Sequence, residues 1–348
     1  MMQRIDLSGE WEFCLDVEKQ GVEEKFFKHG FNDMIKLPTT TAQARKGVKN
    51  NEKSVMYLTE YYHFEGYSWY RKCIELDELS QGQRCFLRME RTRISSVWLN
   101  DVFVGTQESL ISAHWYDLTD AVLACEDDNG QADTKNFVAN GRKEKKKYYL
   151  TVMVSNVDYK APGGHMTSPD TQTNWNGILG DISLYLYQTV RIADAQIYTS
   201  AEDRRIDMKL VISNFGDTGE GEITVECSAC HWEQNAADML MGYADNGEDS
   251  LLTREIRKVQ LQKCDNEIEL SFDIPKEKEI TLWNEFTPSL YQVNICVNAD
   301  DYMSKGDGNA AESSDSVTVT TGFRDLHTSQ DCFYLNELPI FLRGKQEG

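Results

Sequence analysis

Residues His165–Tyr187 read HMTSPDTQTNWNGILGDISLYLY, and the stretch changes character part-way. Its first half has no apolar period and is punctuated by Ser168, Pro169 and Asp170, so it reads as a loop. From Ile178 the order Ile, Leu, Gly, Asp, Ile, Ser, Leu, Tyr, Leu has period two, the signature of a β-strand. A loop of Thr, Asn, Gln and Asp with one Trp, set at the mouth of a strand, has the chemistry of a sugar site. An aromatic face covers the apolar face of a pyranose, while amides and a carboxylate bond its hydroxyls. The plainer alternative is a self-bonded surface loop with Trp175 plugging a core edge, and residue types alone favour it.

Working outward, the same period-two grammar fills the chain. Before the loop, IDLSGEWEFCL (5–15) alternates, IKLPTTT (35–41) reads as a short strand stopped by Pro38 and a Thr run, and YSWYRKCIEL (67–76), QRCFLRM (83–89) and YYLTVMVSN (148–156) read as strands. ISSVWLNDVFVG (94–105) reads as a hairpin turning at Asn100-Asp101. Residues 17–34 are charged and admit a short helix, 42–60 are a polar loop, and 126–147 read as a charged, flexible insertion. After Val190 strands are expected at 191–199, 206–214, 221–230, 254–263, 266–274, 289–298 and 315–323. That is an immunoglobulin-like number. Residues 234–250 and 305–315 are expected as loops, and Cys332–Gly348 as a final hairpin.

At 348 residues the chain is long enough for two domains or more. A formal net charge of -21 argues against nucleic acid or an anionic membrane as partner, since both require a basic face. The nine cysteines are odd in number and sit mostly within apolar strand-like runs. That usage fits a reducing compartment, so a cytoplasmic location is expected. No apolar run is long enough to span a bilayer.

Several phrases, taken in order, resemble one family. LSGEWEFCLD (7–16), IKLPTTT, YSWYRKCIEL and ERTRISSVWLNDVFVG (90–105) resemble the sugar-binding sandwich that opens glycoside hydrolase family 2 enzymes. DTQTNWNGILGDISL (170–184) resembles that sandwich's closing strand. LWNEFTPSLYQVNICV (282–297) resembles the end of the second, immunoglobulin-like domain. TGFRDLHTSQDCFYLNELPIFLRGKQEG (321–348) resembles the linker and first strand of the (β/α)8 barrel. The resemblance implies a retaining exo-β-glycosidase of β-galactosidase or β-glucuronidase type, acting through two barrel Glu. Both would lie beyond Gly348, so this portion is expected to be inactive by itself and to hold no catalytic residue.

The expected architecture is therefore all-β. A jelly-roll-like sandwich spans residues 1–189, an immunoglobulin-like sandwich 190–323, and a linker with the opening barrel strand 324–348. With the resemblance in view the sugar reading of the loop takes precedence. It implies that Asp170 accepts hydrogen bonds from sugar hydroxyls, that Asn174 supports it, and that His165 and Trp175 belong to the same binding loop. The partner is a β-glycoside; homo-oligomer formation by the full-length enzyme stays open. No cofactor is expected.

Other candidates read as structure. Asn284-Glu285 matches the edge of the second domain rather than the acid/base pair of a barrel, and Asn336-Glu337 reads as a hairpin turn. Cys227-Ser-Ala-Cys230 with His231 lacks a second ligand pair, so no metal is expected there. His29, His63, His114 and His327 show no partner pattern and receive no role. Arg343, Gln346 and Glu347 resemble the loop after the first barrel strand, and Gln346 departs from the family's habit of His or an acidic residue. A pair of carbohydrate-binding modules and a structural, oligomer-forming fragment are the rival readings.

Overall fold

The computed structural model describes residues 2–51, 55–56, 58–80, 82–128, 145–160, 164, 167–168, 173–230, 251–299, 313–329 and 331–344. The chain divides into two compact units, Gln3–Leu186 and Tyr187–Gln346. Both are built of antiparallel strands, in agreement with the all-β expectation.

The first unit begins with β1 (Gln3–Asp6), β2 (Gly9–Asp16), β3 (Asp33–Leu37), β4 (Thr39–Thr40), β5 (Val48–Lys49) and β6 (Tyr62–His63). It continues with β7 (Tyr67–Leu76), β8 (Arg84–Thr92), β9 (Ile94–Leu99), β10 (Val102–Gln107), β11 (His114–Asp117), helix α1 (Thr119–Asp128), β12 (Lys146–Ser155) and β13 (Gly177–Tyr187). A five-stranded sheet runs β1-β13-β8-β11 with β4 also on β13, and a six-stranded sheet runs β10-β9-β12-β7-β2-β3. Trp11, Phe13, Tyr70 and Val152 from the larger sheet share one core with Leu87, Met89, Ile182 and Leu184 from the smaller. Each such apolar side chain, once buried, contributes about 1.5–3 kcal/mol, which is why most of the core-facing positions are apolar.

Three details depart from the sequence expectations. The IKLPTTT segment is two strands on different sheets. β3 pairs with β2, then the chain turns at the cis Leu37-Pro38 bond and β4 pairs with β13. Pro38 has no N–H to continue the first ladder, so the break falls there. The charged stretch 17–34 hides an aromatic lid around a short 3-10 turn, Phe26–Lys28. Phe26 lies against Trp69, and Phe27 stacks on Trp98 at 5.3 Å. These rings cover the outer face of the large sheet and form a second small core with Met153. Finally, 126–147 is not all insertion: α1 reaches Asp128 and β12 starts at Lys146, while 129–144 lie outside the described residues. At the helix start the Asp117 carboxylate accepts the Thr119 N–H at 2.9 Å.

The second unit holds β14 (Val190–Ser200), β15 (Arg205–Asn214), β16 (Gly219–Cys230), β17 (Leu251–Leu261), β18 (Asp265–Asp273), β19 (Leu290–Ala299) and β20 (Ser313–Thr321). They form a three-stranded sheet, β14-β15-β18, and a four-stranded sheet, β17-β16-β19-β20. Ile206, Met208, Leu210 and Ile212 from one sheet pack with Ile223, Val225, Val293 and Ile295 from the other. The expected loop 234–250 lies outside the described residues, and the expected loop 305–315 gives way to β20 at Ser313.

The last segment is not a lone hairpin. β21 (Leu326–Ser329), β22 (Cys332–Leu335) and β23 (Leu338–Ile340) form a three-stranded meander. Asn336 and Glu337 turn between β22 and β23, both with positive φ (51° and 66°). That matches the expected hairpin turn. The strand ends at Ile340; Phe341–Gly344 continue outside any sheet.

Candidate functional site

The stem that leads into β13 is the candidate site, and its successive residues are fastened to the sandwich. Gly177 begins the strand with φ +146°, and a Cβ there would sit 2.4 Å from the Thr39 carbonyl oxygen. Only glycine fits, and the close approach fixes where the loop leaves the sheet. Asn176 is buried: its amide donates to the Val154 carbonyl at 3.2 Å, and its Oδ1 accepts the Ser68 hydroxyl.

Asn174 stands half-buried at the edge. Its amide donates to the Asn156 carbonyl at 2.9 Å and to Glu65 Oε1 at 3.3 Å, while its Oδ1 accepts the Tyr159 hydroxyl at 3.2 Å. Asn156 returns the contact, donating to the Asn174 carbonyl at 2.8 Å. Glu65 is exposed, so an acceptor carboxylate and an amide meet at the rim. Burial pushes the Tyr159 hydroxyl up to about 12, which keeps it a protonated donor.

Trp175, whose ring is expected from the sequence as a face for the sugar, is only 8% exposed. Arg93, fully buried, lies 4.2 Å from the Trp175 ring centroid. The same guanidinium donates to the Trp175 carbonyl at 2.9 Å and the Thr173 carbonyl at 3.2 Å. Desolvation lowers the Arg93 pKa from its ordinary value, and the cation–π contact and carbonyl acceptors oppose that burial cost. Trp175 therefore anchors the stem. Asp170 and His165 lie outside the described residues.

Sequence reasoning missed Arg93, Asn156 and Tyr159, because nothing local marks them: the Arg93–Trp175 contact spans 82 positions. It also left His114 without a role. That residue is buried, with Nδ1 2.6 Å from the Ser95 hydroxyl and Nε2 2.7 Å from the Ser109 carbonyl. Burial lowers its pKa, so it serves as a neutral core donor. In the second unit, Asn284 Oδ1 accepts the N–H groups of Phe286 (2.9 Å) and Thr287 (2.8 Å), a turn rather than a reacting pair. Glu285 borders a cleft of about 670 Å³ lined also by Cys230, Thr281, Phe286 and Tyr291. Cys227 is buried and Cys230 half-buried, as the alternating strand implied. Arg343 is exposed; Gln346 and Glu347 lie outside the described residues. Asp325, His327 and Glu337 converge in the same unit.

No family model matches the chain, and no curated sequence matches it. Solved structures do. A Bacteroides uniformis β-glucuronidase superposes over 99% of this chain and 35% of its own, with TM-score 0.65 and 17% identity. A glycosyl hydrolase family 2 member from Bacteroides cellulosilyticus DSM 14838 matches over 98% of this chain and 39% of its own, with TM-score 0.62 and 16% identity. A putative β-galactosidase from Bacteroides fragilis covers 97% and 44%, with TM-score 0.62 and 16% identity. The chain shares their fold. The resemblance to glycoside hydrolase family 2 thus holds for the architecture of nearly the whole chain, which spans less than half the length of these proteins.

Proposed function

We propose that this chain is the sugar-positioning and scaffold portion of a glycoside hydrolase family 2 exo-β-glycosidase. The observation that carries the reading is the match of 97–99% of the chain to structures of that class. Under it, residues 1–189 are the jelly-roll-like sugar-binding domain, 190–323 the immunoglobulin-like domain, and 324–348 the lead into a catalytic barrel. Asp170 accepts from sugar hydroxyls, Asn174 supports it, and His165 belongs to the same loop. Trp175 and Arg93 hold the stem instead of touching the sugar. A reducing compartment belongs to the same reading. Retaining hydrolysis takes two carboxyl groups about 5 Å apart across one bond; under this reading a barrel supplies both, and residues 1–323 by themselves are inactive.

The test is hydrolysis of aryl β-galactoside, β-glucuronide, β-mannoside and β-glucoside by this chain. No turnover above buffer is expected. Turnover that disappears on mutating Glu285 or Glu347 would relocate the active site into these 348 residues and end the proposal. In a complete enzyme, Asp170→Ala should lower kcat/KM; an unchanged value removes the loop from the site.

One observation favours a second reading, an associating structural module. Leu338 is 69% exposed, Leu342 60% and Phe341 95%, a run of apolar side chains on one short segment. A patch of that kind marks a surface that another chain or domain covers.

A further inference from the structure

We infer that Asp325, His327 and Glu337 form a binding site for a divalent transition-metal ion of zinc type. The inference stands on the second unit alone and does not depend on the glycosidase reading.

One ligand atom from each residue, two carboxylate oxygens and an imidazole nitrogen, lies within 4.8 Å of the other two. Nδ1 of His327 is 3.1 Å from Oδ2 of Asp325. A zinc ion with bonds of about 2.0–2.1 Å spaces tetrahedral ligands roughly 3.4 Å apart, so this pair already has the separation of a coordination edge. Glu337 is exposed, and rotation of its carboxylate closes the remaining gap.

The donors are held by separate constraints. The His327 ring lies parallel to Tyr334 (5.3 Å between centroids, 6° between planes), which fixes the plane of its nitrogen lone pairs. Asp325 is tied to the turn that carries Glu337: the Asn336 N–H donates to the Asp325 carbonyl at 2.8 Å, and the Asp325 N–H donates to Asn336 Oδ1 at 3.0 Å. Asn336 is itself anchored, its amide donating to the Trp283 carbonyl at 2.9 Å. Strand β21 and the β22–β23 turn are thereby locked in register around the three donors.

The turn supplies a further argument. Its second position has φ 66°, where glycine is favoured, yet it carries Glu337. The tight turn between β22 and β23 requires that φ, and the Glu337 side chain it presents joins the cluster. The donor set also selects the ion. Calcium takes six to eight oxygens, whereas one imidazole with two carboxylates suits zinc and its neighbours. His327 would bind the metal as a neutral imidazole through Nδ1, with its one ring proton on Nε2. A fourth position is left to water. The sequence reading assigned no metal because 325, 327 and 337 form no ligand spacing until the meander folds.

The test is titration of the full chain with zinc chloride under reductant, by calorimetry and by thermal unfolding, with calcium chloride as comparison. One saturable zinc site and a zinc-dependent rise in Tm are expected, with no rise from calcium. Loss of a partner outside the ligand shell weakens sites of this kind about 10–100-fold, so His327→Ala and Asp325→Asn should weaken binding at least tenfold. Glu337→Gly separates site from fold: it keeps or raises the metal-free Tm, because glycine accepts that φ, but it loses the zinc-dependent rise. Cys332→Ser controls for thiol binding and should bind zinc as the parent does. No saturable site in the parent, undiminished binding in Glu337→Gly and His327→Ala, or loss of binding in Cys332→Ser would each overturn the assignment.

Discussion

Arg93 shows how one residue can set the geometry of a site it does not line. Its guanidinium has no exposed surface, and its donors are taken by the carbonyls of Thr173 and Trp175. Arg93→Met keeps much of the apolar stem but strands both carbonyls. Each buried group left unmatched costs about 1–3 kcal/mol, so a clear fall in the urea midpoint of unfolding is expected. Arg93→Lys should rescue little, since an ammonium cannot present the planar fork that meets two carbonyls and a ring together. A lysine variant as stable as the parent would show that charge, not shape, holds the stem. None of this was legible locally. Arg88, Arg91 and Arg93 lie close together in the same stretch, and only the pairing with a segment some 80 residues on sends Arg93 inward. Asn174 was legible as polar and as part of a loop; its clamp on Asn156 and Tyr159 was not.

At the scale of the element, β13 is held by a clasp across three strands. Arg4 on β1 and Arg88 on β8 both pair with Asp181 on β13, and Ser183 and Tyr185 on the same strand add hydrogen bonds. Burial alone would raise the Asp181 pKa, but the Ser183 hydroxyl and the two guanidinium groups outweigh it, so the net shift is downward from 3.8. A carboxyl with a depressed folded pKa adds stability that is fully present above its unfolded pKa and is lost as pH falls through the folded value. The loss therefore falls below about pH 4, where the unfolded state binds more protons than the folded one. Asp181→Asn should flatten that part of a Tm-against-pH curve and leave its neutral part displaced downward; an unchanged acid limb would show the clasp to be inert. At the other end of the strand, Gly177→Ala places a Cβ against the Thr39 carbonyl at a φ that L-residues avoid. The strain from φ alone is about 1–3 kcal/mol, and the clash adds to it, so a lowered Tm is expected. Strands were the most legible feature of the chain, because alternation is written residue by residue. What alternation could not reveal was which sheet a strand joins, as the split of β3 and β4 at Pro38 shows. It also missed faces that are buried twice, as under Phe26 and Phe27.

For the whole molecule, the order of the segments was legible because each carries its own strand pattern. The surface left uncovered was not, since exposure depends on what packs above a residue. Phe341 is 95% exposed, and Leu326, Phe333, Leu338 and Leu342 are exposed beside it in sequence or in the meander. β23 is an edge strand among the described residues, a place where another chain can add. Pro339, opposite Tyr334, lacks an N–H and blunts that edge, so association is expected through the side chains rather than through an extended ladder. Against it stands a net charge of -21, which makes two copies repel at low ionic strength. Salt screens that repulsion over about 10 Å at 0.1 M without weakening apolar contact. The isolated chain should therefore self-associate more strongly as salt is raised, the reverse of an ion-paired interface. Sedimentation velocity across a protein and salt series measures this directly. The Leu338→Ser/Phe341→Ser double variant should sediment as a monomer throughout while keeping the Tm of the parent, because neither side chain is part of a core. If the parent is monomeric at every salt concentration, the patch does not drive self-association. If the double variant still associates, the contact lies elsewhere on the molecule.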